Sequence, residues 1–315
     1  MKIALLDDWQ NNALTFAEFE RLKPEHQLDV FTDTVDGAVL VERLQPYDII
    51  LAMRERTSLQ VDILSQLPHL QAVITCGMRN AAIDLNYCKA KNIMVCGTEA
   101  PGHATSELAM MLIGMLARDL YTSVHSMASG GWQVSTGRDL RGAKLGILGL
   151  GRLGSQVAQL GMAFGMSVQA WSQNLTPDRC SKEGVSYASK DDFFSTSDFI
   201  SIHLKLSDRV KGLIGAKELA LMKPDACVVN TSRAPIIDQR ALLAALQEKR
   251  IGGAALDVYA QEPPPADNPF RGLPNVILTP HIGYVTAQTM AVFYGGMLEA
   301  LEAYLAGQPI RCLVR

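Results

Sequence analysis

Leu145-Gly146-Ile147-Leu148-Gly149-Leu150-Gly151-Arg152-Leu153-Gly154 is an apolar run that breaks into a glycine-rich turn and continues with helical periodicity to Phe164. Each glycine of such a turn has its own use: a tight change of direction, close approach of backbone to a pyrophosphate, and close packing of helix on strand. The helix start then offers unpaired N–H groups and partial positive charge to phosphate. A second apolar run, Ser167–Ala170, follows the helical stretch. This order predicts a dinucleotide-binding unit with Gly149, Gly151, Arg152, Leu153 and Gly154 at the cofactor. The tip of the second strand normally carries an acid that grips the adenosine ribose. Here it reads Ala170-Trp171-Ser172-Gln173-Asn174, without an acid to repel a 2′-phosphate. The expected cofactor is therefore NAD or NADP, with NADP slightly favoured and Ser172 at the ribose. Arg179 is the nearest cation in the sequence.

Outward from this turn, short apolar runs alternate with helix-period stretches along the whole chain. Strands are predicted at Lys2–Leu6, Asp48–Ala52, Leu70–Cys76, Asn92–Val95, Lys144–Leu148, Ser167–Ala170, Phe199–His203, Ala226–Asn230, Gly253–Leu256 and Val276–Leu278. Their nearly continuous apolar character suits parallel strands covered on both faces. Helices are predicted at Ser58–Leu67, His103–Leu120, Arg152–Phe164, Gln239–Glu248 and Ala287–Ala306, with Ser123–Gly137 irregular. The fold class is α/β, with two doubly wound parallel-sheet domains joined near 100 and again near 285.

The 315 residues suffice for two cores, and 48% hydrophobic against 19% charged residues exclude a disordered chain. A net charge of −3 leaves no basic field for nucleic acid or anionic membrane. No apolar run approaches the length of a membrane span, and Met1–Leu6 is too short for a secretion signal before Asp7-Asp8. Six cysteines, at 76, 88, 96, 180, 227 and 312, form no Cys-x-x-Cys pair. That spacing suits neither a disulfide framework nor a metal knuckle; reduced thiols and a cytoplasmic location are expected, with no metal.

Further motifs follow in order: Ser106-Glu107-Leu108-Ala109, Leu140-Arg141-Gly142, Met222-Lys223-Pro224, Val229-Asn230-Thr231-Ser232-Arg233, Ala255-Leu256-Asp257-Val258, Gln261-Glu262-Pro263 and Thr279-Pro280-His281-Ile282-Gly283. With the glycine turn, this ordered set resembles the D-isomer-specific 2-hydroxyacid dehydrogenases over nearly the whole chain. The resemblance implies a flavodoxin-like substrate domain of residues 1–100 and 286–315, with a Rossmann cofactor domain of residues 101–285 inserted in it. It also implies an active site in the cleft between them, and a homodimer with His103–Arg138 at the interface. The chain ends at Arg315, so the regulatory domain of long phosphoglycerate dehydrogenases is expected to be absent.

Hydride transfer to a 2-oxo acid needs a cation for the carboxylate and carbonyl, a proton donor, and a carboxylate that orients the donor. By resemblance these are Arg233, His281 and Glu262, and their sequence spacing suits separate strand-end loops on one sheet edge. The resemblance also assigns Thr231 and His203 to the cofactor and Asp257 to the nicotinamide carboxamide. Read alone, His203 is as readily a structural histidine.

The substrate loop departs from the family pattern. Gly77-Met78-Arg79-Asn80-Ala81-Ala82-Ile83-Asp84 has Arg79 in place of the usual second glycine, and Arg54 and Arg56 follow the strand ending at Ala52. Gly77, Met78, Arg79 and Arg54 are therefore expected to bind a small-molecule 2-oxo or 2-hydroxy acid carrying a second acidic or strongly polar group. Arg56 is expected to pair with Glu55 or to face water. Formate dehydrogenases share the frame but pair their histidine with Gln, which Glu262 argues against. Some members of this fold family act as dinucleotide-sensing corepressors without turnover, an alternative that the triad alone does not remove.

Overall fold

The structure, a computed structural model, describes residues 1–22 and 24–314. The chain divides into two compact units, Met1–Pro101 with Val285–Arg315, and Gly102–Tyr284.

The first unit holds β1 (Lys2–Leu5), β2 (Gln27–Val30), β3 (Ile49–Ala52), β4 (Ala72–Thr75) and β5 (Met94–Gly97). In sheet order, β5-β4-β3-β1-β2 run parallel, with Ile3 opposite Ile49 and Ile49 opposite Ala72. The central strands read Ile-Ile-Leu-Ala and Ala-Val-Ile-Thr and are buried along their whole length, as expected where helices cover both faces. The Ala287–Leu305 helix belongs to this unit. Thr286 caps its start by accepting from the Thr289 N–H, and its buried Met290, Phe293, Tyr294, Met297 and Leu301 recur at helical spacing. Tyr294 donates to Asp8 Oδ1 at 3.0 Å, tying the C-terminal helix to the end of β1.

The second unit is a seven-stranded parallel sheet. In chain order it comprises β6 (Lys144–Leu148), β7 (Ser167–Trp171), β8 (Ser186–Tyr187), β9 (Phe199–Ile202), β10 (Cys227–Asn230), β11 (Gly253–Leu256) and β12 (Val276–Leu278). In space the order is β12-β11-β10-β9-β6-β7-β8. The chain leaves β6 toward β7 and later returns to its other side as β9. That reversal opens a crevice beyond the carboxyl ends of β6 and β9, where doubly wound sheets bind ligands.

Several elements differ from the expectations. The unpredicted β2 is a half-exposed edge strand, Gln-Leu-Asp-Val, and β8 is only two residues long. The last strand, β13 (Cys312–Val314), pairs with β5 antiparallel, so the first sheet is mixed rather than wholly parallel. The predicted helix from His103 to Leu120 ends at Ala117, and a second helix runs Leu120–Ala128. Asp119 between them adopts φ +44°, a left-handed conformation that breaks the helix. The stretch expected to be irregular is thus helical as far as Ala128. Ser58–Leu67 contracts to a single turn, Val61–Leu64.

Candidate active site

The glycine turn has the shape its sequence predicts. Gly149 sits at φ +101°, and a side chain there would come within 2.8 Å of Leu204 and 3.1 Å of the His203 carbonyl. A Cβ on Gly154 would collide with the Gly149 carbonyl oxygen, whereas at Gly151 there is open space for a ligand to approach the backbone. Two buried hydroxyls, Ser155 Oγ in the first turn of the Arg152–Ala163 helix and Thr231 Oγ1 beyond β10, have no protein partner. An open second glycine, a helix start and two unpartnered buried hydroxyls suit a phosphate-bearing dinucleotide. The Arg152 guanidinium lies over the Gly102 backbone, and Leu153 is half-buried in the helix start.

His203 follows β9 beside this turn. Its Nε2 shares a 2.8 Å hydrogen bond with Ser201 Oγ, and burial pushes its pKa down to about 4. The ring is therefore neutral at pH 7, unsuited to serve as a cation for phosphate. At the tip of β7, Ser172 is half-buried and Gln173 Nε2 donates to the Arg209 carbonyl at 3.3 Å. Arg179 is engaged one helical turn away with Glu183 at 3.0 Å.

Glu262 and His281 come together. Glu262 Oε2 lies 2.5 Å from His281 Nδ1, while Oε1 accepts from the Tyr259 N–H at 2.8 Å. Burial raises the Glu262 pKa, but the hydrogen bond and charge of His281, the Tyr259 N–H and the charge of Arg233 outweigh it and hold the carboxyl below its ordinary value. With Nδ1 turned to the carboxylate, Nε2 is the nitrogen left to exchange a proton with a substrate.

The histidine loop is moulded by Asp257, which has no solvent exposure. Its Oδ1 accepts from the Thr279 hydroxyl at 2.6 Å and the Ile282 N–H at 2.9 Å, and its Oδ2 accepts from the Gly283 N–H at 2.8 Å. His281 is held between these anchors at φ +52°. The residue that the resemblance assigns to the nicotinamide carboxamide thus also engages the loop that presents His281. Tyr259, which the sequence reading missed, adds a second brace by donating to the Leu256 and Thr279 carbonyls at 3.0 and 2.8 Å. Arg233 is also built in. Asn230 Nδ2 donates to the Arg233 carbonyl at 3.0 Å, and Arg233 Nη1 donates to the Ser232 carbonyl at 2.7 Å. An Asx turn, in which Asn230 Oδ1 accepts from the Ser232 N–H at 3.0 Å, sets that backbone.

In the other unit, Arg54 and Gly77-Met78-Arg79 follow β3 and β4 at the carboxyl edge of their sheet. Arg54 adopts φ +55°, and its Nη1 donates to the Cys76 carbonyl at 3.2 Å. Asn80 holds this arrangement from below: its Nδ2 donates to the Arg54 carbonyl at 2.5 Å and to Thr75 Oγ1 at 2.8 Å. Its Oδ1 accepts from the Ala82 N–H at 2.8 Å, an Asx-type contact that the loop sequence could have signalled. Met78 and Arg79 are exposed. Arg56, expected to face water, is drawn inward: its Nη1 donates to the Asp7 carbonyl at 2.5 Å and its guanidinium lies 4.1 Å from the Trp9 ring centre. A buried carbonyl and an aromatic face outcompete solvent for that cation.

Residues 109–283 match the family profile described as D-isomer specific 2-hydroxyacid dehydrogenase, NAD binding domain. A glyoxylate reductase of Aeropyrum pernix is 36% identical over 284 residues, 84% of each chain. A glycerate dehydrogenase of Methylorubrum extorquens is 31% identical, covering 90% of this chain and 91% of its own. Among solved structures, a phosphoglycerate oxidoreductase from Vibrio cholerae superposes with a TM-score of 0.92 at 35% identity, covering 98% of this chain and 99% of that one.

Proposed function

The chain belongs to the D-isomer-specific 2-hydroxyacid dehydrogenases, NAD(P)-dependent oxidoreductases, and we propose that it interconverts a 2-oxo acid and a D-2-hydroxy acid with Arg233, Glu262 and His281 as its working side chains. The observation that carries this reading is the 2.5 Å contact between Glu262 Oε2 and His281 Nδ1. It fixes the orientation of the imidazole and turns Nδ1 to the carboxylate, so that Nε2 is the nitrogen aimed at a developing alkoxide. Arg233 supplies a planar fork for the substrate carboxylate and draws electron density from the carbonyl. The reduced nicotinamide, when bound, supplies the hydride. Gly149, Gly151, Arg152, Leu153 and Gly154 would hold the dinucleotide phosphates, with Ser172 at the ribose and His203 and Thr231 beside the turn. Asp257, which also shapes the histidine loop, would hold the nicotinamide carboxamide. Nothing acidic at Ser172 opposes a 2′-phosphate, which favours NADP over NAD.

The substrate is one with a second acidic group, such as a dicarboxylic or phosphorylated 2-oxo acid. Support comes from the fixed Arg54 guanidinium and the exposed Arg79 on adjacent strand-end loops of the substrate unit. The working form is a homodimer. Leu120, Tyr121, Val124, Met127, Trp132 and Val134 are each 44–70% exposed along the Leu120–Ala128 helix and the segment after it, an apolar strip suited to burial against a second copy.

A panel of 2-oxo acids assayed with both NADH and NADPH tests the reading. Oxaloacetate or 2-oxoglutarate is reduced in preference to pyruvate, and Arg79→Ala reduces that preference by about tenfold, roughly 1.4 kcal/mol. A preference for pyruvate in both forms would remove the second acidic group from the substrate. A chain that binds cofactor yet turns over no member of the panel would remove the enzyme reading.

A further inference from the structure

We infer that Cys96 and Cys312 form a reversible disulfide site that locks the last strand of the chain onto the substrate unit. The two residues face each other on antiparallel neighbours, β5 and β13, at the pair next to a register shift between Cys312 and Val314. The Gly97 N–H donates to the Arg311 carbonyl at 3.0 Å, the residues just outside the cysteine pair. Cys96 and Cys312 are therefore a non-hydrogen-bonded pair, the kind in which facing Cα atoms approach most closely, to about 4.5 Å. That spacing falls in the range a disulfide spans, about 4.4–6.8 Å.

The sulfurs already lie 3.9 Å apart, so side-chain rotation rather than backbone movement closes the remaining distance. Neither cysteine is in a disulfide in the structure, and Cys96 is buried while Cys312 is partly exposed. Arg311 holds the register: its Nε donates to the Gly97 carbonyl at 3.0 Å, its Nη2 to the Gly296 carbonyl at 3.1 Å, and its Nη1 pairs with Glu299 at 2.8 Å. The scattered spacing of the six cysteines hides this pair, because the partners are 216 positions apart.

The chemistry is a thiol–disulfide exchange with a low-molecular-weight disulfide such as oxidised glutathione. The accessible Cys312, as thiolate, attacks one sulfur of the oxidant and expels one small thiol, giving a mixed disulfide. The Cys96 thiolate then attacks the Cys312 sulfur and expels the second small thiol. Two protein thiols lose two electrons and two protons, and the oxidant gains both to become two thiols. The new bond closes a ring that contains the entire Gly102–Tyr284 unit, because that unit lies between Cys96 and Cys312 in the chain. Ring closure of that size restricts the unfolded chain strongly and stabilises the sheet that carries β13.

The full-length protein is incubated with oxidised glutathione, its remaining thiols are alkylated, and tryptic peptides are mapped without reduction. The expected result is a linked pair joining the Cys96 and Cys312 peptides, with Tm raised by at least about 3 °C. Dithiothreitol reverses both changes. Cys312→Ser abolishes both and leaves reductase activity within about twofold of the parent, a tenfold change being 1.4 kcal/mol. Because Cys312 is partly exposed, this variant avoids the folding penalty of changing buried Cys96. Glutathione retained on Cys312 with Cys96 still alkylatable, a bridge between two chains, or an oxidised form with unchanged Tm would each overturn the inference.

Discussion

Glu262 reaches His281 Nδ1 at 2.5 Å although neither residue is in a strand. The contact is made by two loops that leave the adjacent parallel strands β11 and β12 at the same edge of the sheet. Asp257, at the end of β11, grips the far side of the histidine loop through three hydrogen bonds. One carboxylate thus sets the loop, and a second sets the ring.

Removing the imidazole isolates proton delivery. His281→Ala lowers kcat for 2-oxo acid reduction by about 10²–10⁴-fold, the usual contribution of a positioned acid. The Kd for the nicotinamide cofactor, measured by calorimetry, stays within about twofold, well under the 1.4 kcal/mol of a tenfold change. Wild-type turnover by this variant would move the proton donor elsewhere.

Glu262→Gln keeps the shape and removes the charge. The bond to His281 Nδ1 changes from charge-assisted to neutral and holds the ring less firmly, so kcat for 2-oxo acid reduction falls by about tenfold. Steady-state kcat of both forms, with cofactor Kd as the control, checks it, and equal kcat would mean that the contact does not serve the donor.

Asp257→Asn replaces an acceptor-only group with one that must turn an N–H₂ toward existing donors. At least one of the bonds to Thr279, Ile282 and Gly283 is lost. The expected cost is about 1–3 kcal/mol of stability, read by urea unfolding, because a buried donor is left unmatched. Activity falls further than that of a Tyr259→Phe variant, which releases the brace but leaves the loop anchors in place.

A carboxylate at the opposite edge of the same sheet governs stability in acid. Asp198 accepts from the Lys144 N–H at 2.6 Å and from Lys223 Nζ at 2.7 Å. Burial raises its pKa, but these partners and the charge of Arg138 prevail and hold it below the ordinary value. A carboxylate with a lowered folded-state pKa adds stability above its unfolded pKa, about 3.9, and loses it as pH falls through the folded value. Asp198→Asn therefore costs about 1 kcal/mol at pH 7, with water screening the partly exposed Lys223, and the difference from the parent shrinks below about pH 4. Urea midpoints across that range measure it.

The parallel strands were readable because buried Val, Ile, Leu and Ala runs stand out from their helical neighbours. β6, β11 and β12 begin and end where the apolar pattern predicts. β2 and β13 carry no such signal: one alternates at an exposed edge, and the other is three residues long and depends on a partner more than two hundred positions away. Among site residues, the glycine turn is local chemistry and was legible from its own sequence. Arg233, Glu262 and His281 were reached through motif order, since the 2.5 Å contact depends on which strands are neighbours. The supports escaped for the same reason. Tyr259, Asn80 and the inward-turned Arg56 act through carbonyls or rings that only tertiary structure brings near.

The interrupted layout of the substrate unit orders its biosynthesis. Residues 102–284 form a self-contained sheet that emerges from the ribosome whole, whereas the earlier N-terminal strands wait for the Ala287–Leu305 helix and β13. The strands of residues 1–101 are therefore translated before the helix that packs on β4 and β5, and their apolar faces complete their packing only after residues 102–284 have been made.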